Sequence, residues 1–258
     1  MEDSLYYKSL GVSSAKTEVI KASKSQGEGL FPNAFCKIVP DFLANSPNHC
    51  MALHSDGAGT KAVVAYLMYK ETRDFNYFAS LAQDALVMNI DDLLCVGACG
   101  PFVVSNVIGR NSKLIPAAAI ESIISGYESC RSILANEEIE IHLCGGETAD
   151  MGDAIRTLVV DASVACRLRR ESVIDGCHIS KDDVIVGLSS TGITRYEQEE
   201  NSGIGSNGLT FARHSLLNHG YYDSYPEAVA PEIPEKLAYH GKHALFETHK
   251  SVNMTIGK

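Results

Sequence analysis

The sequence is short of positive charge, and this shortage excludes several classes of partner. Its 258 residues include 22 Lys and Arg against 32 Asp and Glu, which gives a formal net charge of −10. Nucleic acids and anionic membranes bind clustered cations, so we predict that the chain binds neither. An acidic protein can still bind phosphate compounds through local backbone amides, a few cations and Mg²⁺. A small-molecule substrate is therefore the predicted partner.

Long apolar runs and paired cysteines are also missing. No apolar run approaches the roughly 20 residues of a membrane span, and the start, MEDSLYYK, has no apolar signal core. The eight cysteines form no C-x-x-C pair, and the closest two, Cys95 and Cys99, are separated by three residues. A zinc site would require tighter spacing with nearby histidines. Scattered thiols without a secretion signal are typical of a reducing cytoplasm, where we expect the protein and where most thiols would be buried and structural.

Residues 1–169 carry strand and helix patterns that predict one α+β domain with helices on one face of a sheet. Alternating or β-branched runs predict strands, and apolar residues at helical spacing predict helices. The Ser/Gly/Pro-rich residues 22–33 predict a mobile loop. The predicted elements are the strand HCMALHSD, the helix FASLAQDALVMNIDDLLCVGA, the strand FVVSNVIG, the helix IPAAAIESIISGYESCRSILANE, the strand EIEIHLCGG ending in a double-glycine turn, and the strand RTLVVDASVACRL.

The composition changes near residue 170, which predicts a second domain over residues 170–258. There DDVIVGLSSTG predicts a strand, YEQEENSGIGSNG predicts a glycine-rich loop, and LTFARHSLLNHG predicts a short helix with a glycine stop. The remaining tail is rich in proline and polar residues. Because this stretch offers one clear strand, we expect a partial, truncated second α/β domain.

The stretch SDGAGTK predicts a loop that approaches a phosphate. The common nucleotide loop reads G-x-x-x-x-G-K-[ST], but here Thr60 precedes Lys61 and Gly57 lies only two residues before Gly59, so that loop is excluded. The two glycines still allow positive φ and close backbone approach, successive amides can form an anion nest, and Asp56 can hold a metal. The alternative is a tight turn with a capping Asp56 and a surface Lys61.

The stretch QDALVMNIDDLLCVGA places three acids on a predicted helix. Helical steps put Asp84 and Asp91 within about 20° of each other and Asp92 roughly 80° away on the same side. Charged groups rarely lie on an apolar helix face unless they are paired or bind a metal, and Mg²⁺ prefers carboxylate oxygens. The alternative is that Asp84 and Asp91 mark the solvated face while Asp92 lies near the helix end.

The stretch HLCGGETADMG adds two glycines and an acid to the end of a predicted strand. Gly145 and Gly146 would let a ligand approach the backbone, with Glu147 fixed at the strand tip. The alternative is a hairpin-like turn in which Glu147 or Thr148 caps the next element. Because all three motifs place acids beside glycines or element ends, they jointly predict a site for Mg²⁺ and a polyphosphate, with Lys61 as the phosphate cation.

These three motifs, in this order, resemble the aminoimidazole ribonucleotide synthetase (phosphoribosylformylglycinamidine cyclo-ligase) family of purine biosynthesis. Its superfamily includes formylglycinamide ribonucleotide amidotransferase, selenophosphate synthetase, thiamine-monophosphate kinase and a hydrogenase-maturation protein. The family patterns D-G-V-G-T-K, D-x7-D with N-D-[IL]-L-x-x-G-A, and G-G-E-T-A-E-M-P are similar to the three motifs. Further matches are Y-K-x-x-G-V at residues 7–12 and S-N-G-[YL] with a downstream Arg at residues 206–213, so the resemblance covers residues 7–215.

The resemblance implies an N-terminal domain that dimerises through a shared sheet, with ATP and Mg²⁺ as cofactors and a homodimer as the assembly. It implies transfer of the γ-phosphate to an amide oxygen, after which an internal amine closes a ring, with residues 22–33 closing over the site. The implied catalytic residues are Lys61, Asp92 and Glu147. The implied nucleotide-binding residues are Asp56, Gly57, Gly59, Thr60, Lys61, Gly145, Gly146 and Asn207. The implied metal ligands are Asp56, Asp84, Asp91 and Asp92.

The chain departs from the family pattern mainly on the substrate side. Asp91 stands where the family has Asn, Gly100 is inserted before Pro101, and Gly152 replaces a proline. The segment ITRYEQEENS precedes the second-domain motif, and Gly205 stands where a His is expected. These departures predict a related protein that acts on a different amide or acid. The alternatives are a small-molecule kinase of the same superfamily and a non-catalytic ATP-binding assembly subunit.

Overall fold

Residues 2–12, 16–189, 191–197, 200, 207–249 and 254–257 are described by a computed structural model. The helices are α1 (Glu2–Ser9), α2 (Thr17–Ser23), α3 (Lys61–Thr72), α4 (Asn76–Leu94), α5 (Ala117–Asn136), α6 (Leu209–Leu216) and α7 (Gly220–Ser224). The strands are β1 (Ile38–Pro40), β2 (His49–Gly57), β3 (Phe102–Arg110), β4 (Ile141–Asp150), β5 (Leu158–Arg169), β6 (Thr248–His249) and β7 (Met254–Thr255). Within these residues, no helix combines the length and apolar character needed to cross a bilayer.

Strands β1 to β5 form one sheet in the order β1-β2-β5-β3-β4, in which only β3 and β4 run parallel. Along β5, Val160, Ala162 and Val164 are buried. Asp161, which lies between the first two, and Arg167, further along the strand, are exposed. This alternation is that of a sheet with one covered and one open face. Helices α3, α4 and α5 pack on the covered face. The predicted α+β domain with helices on one face is therefore confirmed.

Helix α4 is the centre of the covered face because its apolar residues recur at helical spacing. Its buried side chains include Phe78, Leu81, Leu86 and Leu93, all at most 1% exposed. Burying a side chain of this kind contributes about 1.5–3 kcal/mol. Helix α5 packs so closely on α4 that a Cβ at Gly126 would lie 2.3 Å from the carbonyl oxygen of Ala79. The two long predicted helices are thus confirmed.

The double glycine does not end β4, contrary to the prediction from the sequence. The strand continues through it to Asp150, and the pairing with β3 changes register between Val104 and Asn106. Gly145 accommodates this irregularity with a φ of +86°, which a residue with a side chain rarely adopts. The glycines therefore form a bulge inside an edge strand, where the parallel partner β3 keeps supplying hydrogen bonds.

Three other expectations were incomplete or wrong. Residues 182–189 form no strand: they are exposed, with Ile185 fully so, because no described strand lies beside them to complete the hydrogen bonds. Residues 22–26 of the predicted loop are the end of α2 and a short 3-10 turn, while much of the predicted loop at 196–208 lies outside the described residues. The sequence also left α3 and β1 unpredicted. The short helix α6 is confirmed, but it ends at Leu216, before the predicted glycine stop.

Residues 207–249 pack against the N-terminal part of the chain. Tyr7 of α1 stacks on Phe211 of α6 with ring centroids 5.2 Å apart. The Tyr66 hydroxyl of α3 donates to the carboxylate of Glu227, and Lys70 Nζ lies 3.6 Å from the same carboxylate. These contacts bring the start of α6 beside the SDGAGTK loop.

Candidate functional site

The SDGAGTK loop joins the end of β2 to the start of α3. Asp56 is the second-last residue of β2, and its Oδ1 accepts a hydrogen bond of 2.7 Å from the Gly57 amide. A Cβ on Gly57 would lie 1.7 Å from Asp161 Oδ1, so close approach requires this glycine, while Gly59 has a φ of +54°. Of the two glycines predicted to adopt positive φ, only Gly59 does. Lys61 then begins α3.

Lys61 and Asp84, which the resemblance assigns to phosphate and metal, form an ion pair with each other. Asp84 lies on α4, and both side chains are mostly buried, with 27% of Lys61 and 20% of Asp84 exposed. Burial raises the pKa of the Asp84 carboxyl and outweighs the opposite effect of Lys61. The pair places one cation at the start of α3, beside the loop.

The last turn of α4 carries the other two predicted acids in different surroundings. Asp92 Oδ2 lies 3.0 Å from His54 Nε2, whereas Asp91 is exposed beside it. Partial desolvation and then the charge of Asp92 raise the pKa of Asp91. The helix therefore turns Asp92 inward toward β2 and leaves Asp91 outward.

Two residues that the sequence did not indicate connect Asp92 to the SDGAGTK loop. His54 Nδ1 lies 3.0 Å from Asn89 Oδ1, and Asn89 Nδ2 donates to the backbone oxygen of Asp56 at 3.2 Å. A hydrogen-bonded path thus runs from Asp92 through His54 and Asn89 to the loop. Strand alternation was the available signal, because His54 lies two residues before Asp56 and so on the same face of β2.

Asp161 is a further acid that the sequence motifs did not indicate. It lies opposite Gly57 on the neighbouring strand, with its carboxylate over that glycine. Partial desolvation and then the charge of Asp56 raise the pKa of Asp161. A single acid within the apolar stretch LVVDASV was the signal that could have indicated it.

The third predicted motif is not adjacent to the first in the sheet. Gly57, Asp161, Val107 and Glu147 occupy one cross-strand row, so Glu147 lies at the same height as the loop. Two strands intervene, and three strand spacings amount to about 14 Å. Glu147 is exposed and, like Val107 beside it, lies on the open face, opposite the helix-covered side that holds Asp92. A Cβ at Gly146 would lie 2.1 Å from the carbonyl oxygen of Asn106, which explains the second glycine.

The start of α6 joins the site from the second part of the chain. Asn207 is exposed and precedes Gly208, which has a φ of +81° and leads into α6. Thr210 Oγ1, in the first turn of α6, lies 3.0 Å from Thr60 Oγ1. Ser206 and Gly205 lie outside the described residues. The structure therefore brings the Asn207 motif to the SDGAGTK loop.

The donor set indicates how Mg²⁺ would fit. Among the described residues, no three His, Cys, Asp or Glu side chains gather in a way that would hold a metal ion. Asp84 is neutralised by Lys61, whereas Asp56 and Asp92 each keep one carboxylate oxygen without a hydrogen bond to the described part of the chain. Mg²⁺ is commonly held by one or two carboxylates, with waters and substrate phosphates completing its shell. Asp56 and Asp92 fit a metal that arrives with a polyphosphate.

Comparison with known proteins defines the class of this fold and site. Residues 37–168, half of the chain, match the family described as AIR synthase related protein, N-terminal domain. The chain belongs to this family, and the prediction from the motifs is confirmed.

The relatives that the chain resembles carry a particular name. It is 31% identical over 194 residues to the phosphoribosylformylglycinamidine cyclo-ligase of Methanococcus vannielii, which covers 72% of this chain and 47% of that protein. The cyclo-ligase of Thermococcus gammatolerans is 32% identical over 176 residues, which covers 68% of this chain and 45% of that protein. The chain therefore spans about half the length of these curated relatives.

Among solved structures, T. maritima PurL complexed with ATP aligns with 66% of this chain and 27% of that chain, at a TM-score of 0.35 and 15% identity. A likeness at this level says nothing about the ligands of this chain.

Proposed function

We propose that this chain binds ATP with Mg²⁺ and promotes phosphoryl activation of an amide oxygen followed by ring closure, as in conversion of formylglycinamidine ribonucleotide to aminoimidazole ribonucleotide. Family membership and the names of the relatives support this proposal. The observation that carries it is the hydrogen-bonded path that joins Asp92, through His54 and Asn89, to the backbone of Asp56 near the end of β2.

The proposed roles derive from the surroundings of each side chain. Lys61 contacts a phosphate while Asp84 holds its ammonium group, because an ammonium has three donors and Asp84 occupies one side. Thr60, at the end of the loop, and Asn207, just before α6, bind the nucleotide. Asp56 and Asp92 hold Mg²⁺, which neutralises phosphate charge when bound. Asp91, exposed beside Asp92, contributes to Mg²⁺ binding through its charge or through a metal-bound water.

The proposed reaction has two steps that balance. The amide oxygen of the substrate attacks the γ-phosphorus, so an O–P bond forms and the bond from that phosphorus to ADP breaks. The internal amine then attacks the activated carbon and a C–N bond forms. The amine nitrogen loses a proton to water, the C–O bond breaks, and inorganic phosphate leaves with the former amide oxygen. The protein contributes positioning and charge neutralisation to both steps.

We further propose a homodimer in which the open faces of two sheets meet. Leu53, Val103 and Val107 are 69%, 46% and 44% exposed on that face, and exposed apolar clusters of this kind mark interaction surfaces. The motif Gly145 to Glu147 lies on the edge strand of the same sheet, so a second copy would add its own groups beside it. A domain boundary near residue 170, just after β5 ends, accompanies this proposal.

Titration calorimetry with ATP and Mg²⁺, combined with phosphate release in the presence of formylglycinamidine ribonucleotide, tests the function. Binding with phosphate release that requires this substrate is the expected result. Binding and phosphorylation of another small molecule without ring closure would favour a kinase. Binding without any turnover would favour the assembly subunit, for which the favouring observation is that residues 182–189 are exposed and pair with no described strand. Absence of ATP binding would overturn all three.

A further inference from the structure

His54 is held between β2 and α4 by one bond at each ring nitrogen. Nε2 lies 3.0 Å from Asp92 Oδ2, and Nδ1 lies 3.0 Å from Asn89 Oδ1. Asn89 and Asp92 are three residues apart on α4, so they lie on neighbouring turns of one helix face. The imidazole ring therefore spans the gap between strand and helix with a fixed orientation.

The hydrogen-bond partners of Asn89 show which atoms donate and which accept in these contacts. Asn89 is completely buried, and its Nδ2 approaches the backbone oxygens of Ala85 at 2.8 Å, Ala162 at 3.1 Å and Asp56 at 3.2 Å. Carbonyl oxygens only accept, so this amide nitrogen is the donor and Asn89 Oδ1 is the acceptor that faces His54. Nδ1 therefore carries a hydrogen. Because a carboxylate oxygen only accepts, the bond from Nε2 to Asp92 Oδ2 requires a hydrogen on Nε2 as well, so His54 donates at both ring nitrogens.

We propose that His54 is a positioning residue: it holds Oδ2 of Asp92 so that Oδ1 points toward a Mg²⁺ ion that arrives with a polyphosphate. This inference rests on the proposed function and deepens it. Groups that orient a metal-binding carboxylate from behind typically change metal affinity by about 10–100-fold when they are removed. The second bond, through Asn89 to the backbone of Asp56, ties the same ring to the loop that carries the other proposed ligand.

Two substitutions separate this role from simple packing. In His54→Gln, the side-chain amide nitrogen reaches about as far as Nε2 and can donate to Asp92, while the bond to Asn89 is lost. In His54→Asn, the amide nitrogen stands near the position of Nδ1 and can donate to Asn89, while Asp92 is left unheld. Each variant keeps one of the two bonds, so their thermal stabilities are comparable if the ring only fills space.

The measurement is ATP binding by calorimetry at increasing Mg²⁺, repeated with Mn²⁺ as a second probe and with chelator in place of metal. We expect the metal concentration for half-maximal ATP binding to stay within about threefold of the wild-type value in His54→Gln and to rise by about 10–100-fold in His54→Asn. Binding of ATP in chelator should be equal in all three proteins. His142→Gln is the matched control, because His142 forms a pair with Glu140 at 2.9 Å on the exposed edge strand.

Equal metal dependence of the two His54 variants, or a change that tracks their melting temperatures, would overturn the positioning role while leaving the proposed function intact. Failure of the wild-type protein to bind ATP at any metal concentration would overturn the proposed function, and the metal-positioning role with it.

Discussion

Thr60 Oγ1 and Thr210 Oγ1 lie 3.0 Å apart, although 150 residues separate them in the sequence. Thr60 is the last residue of the loop before α3, and Thr210 belongs to the first turn of α6. One hydrogen bond between two hydroxyls therefore joins the N-terminal part of the chain to the second part at the candidate site.

Thr210→Val removes one hydroxyl of this contact and preserves the shape of the side chain. Because a single hydrogen bond contributes about 1 kcal/mol, we expect ATP to bind about fivefold more weakly and the melting temperature to fall slightly. Calorimetry and thermal unfolding measure the two effects. Thr72→Val, which removes a hydroxyl that donates to Met68 and accepts from the Asp74 amide at the far end of α3, should leave ATP affinity unchanged. Equal losses of ATP affinity in both variants would show that Thr210 is not part of the site.

Lys61→Met is expected to make stability fall with rising pH. The folded state already raises the pKa of Asp84. An acid with a raised folded pKa stabilises the fold below its unfolded pKa, and that contribution is lost as pH rises through the folded pKa. Loss of Lys61 raises this pKa further, so the variant should approach wild-type stability below about pH 4 and lose about 1–3 kcal/mol at neutral pH.

Urea unfolding at a series of pH values measures this difference. The double variant Lys61→Met with Asp84→Asn should recover much of the loss at neutral pH, because no uncompensated carboxylate remains. A loss of unfolding free energy that is the same at every pH would show that ionised Asp84 does not cause the destabilisation.

Asp92→Asn and Asp91→Asn form a matched pair on one helix turn. Asp92 faces His54 and Asp91 is exposed, so we expect the first change to weaken Mg²⁺-dependent ATP binding by at least about tenfold and the second by about threefold or less. Calorimetry at fixed Mg²⁺ compares them. Unchanged affinity in Asp92→Asn would count against its metal role.

Gly146→Ala tests the continuation of β4 through the double glycine. The new Cβ would lie 2.1 Å from a backbone oxygen of β3, which cannot move without breaking the strand pairing. We expect a loss of about 2–3 kcal/mol in the free energy of unfolding, measured by urea titration. Gly187→Ala, where nothing lies within 4 Å, should have little effect. A tolerated Gly146→Ala would mean that the strand ends earlier.

Leu53→Asp tests the proposed dimer. This residue is 69% exposed on the open face. We expect the wild-type protein to give a dimer by size-exclusion chromatography with light scattering, and the variant, with a charge at this position, to give a monomer. Leu43→Asp, at an 84% exposed position outside the five-stranded sheet, is the control and should remain dimeric. A dimer that survives Leu53→Asp would place the interface elsewhere.

The elements that periodicity defines were predictable from the sequence. Helix α4 and strand β5 have regular apolar patterns, and each side chain's environment depends mainly on its own element. Asp56 and Glu147 were indicated because each acid lies beside glycines, and Asp92 because it shares one side of an apolar helix with two other acids.

Relations between elements were not predictable in the same way. The pairing of Lys61 with Asp84 depends on how α3 packs on α4, and the separation of Glu147 from the loop, about three strand spacings or 14 Å, depends on strand order. His54 was missed because strand alternation places it on the face of Asp56 but does not show that its partners, Asn89 and Asp92, lie on α4. The predicted strand at 182–189 failed because a strand needs a neighbour, and pattern alone supplies none.

Helix α3 is held by side-chain contacts at its first residue and again further along. Lys61 at its first residue is bonded to Asp84, and Tyr66 and Lys70 further along hold Glu227. Twelve residues of helix form a rod about 18 Å long, which resists bending over that length. Because this rod is fixed by Asp84 at one end and by Glu227 further along, and is packed against α4 between them, it holds the cation in one place at the mouth of the loop.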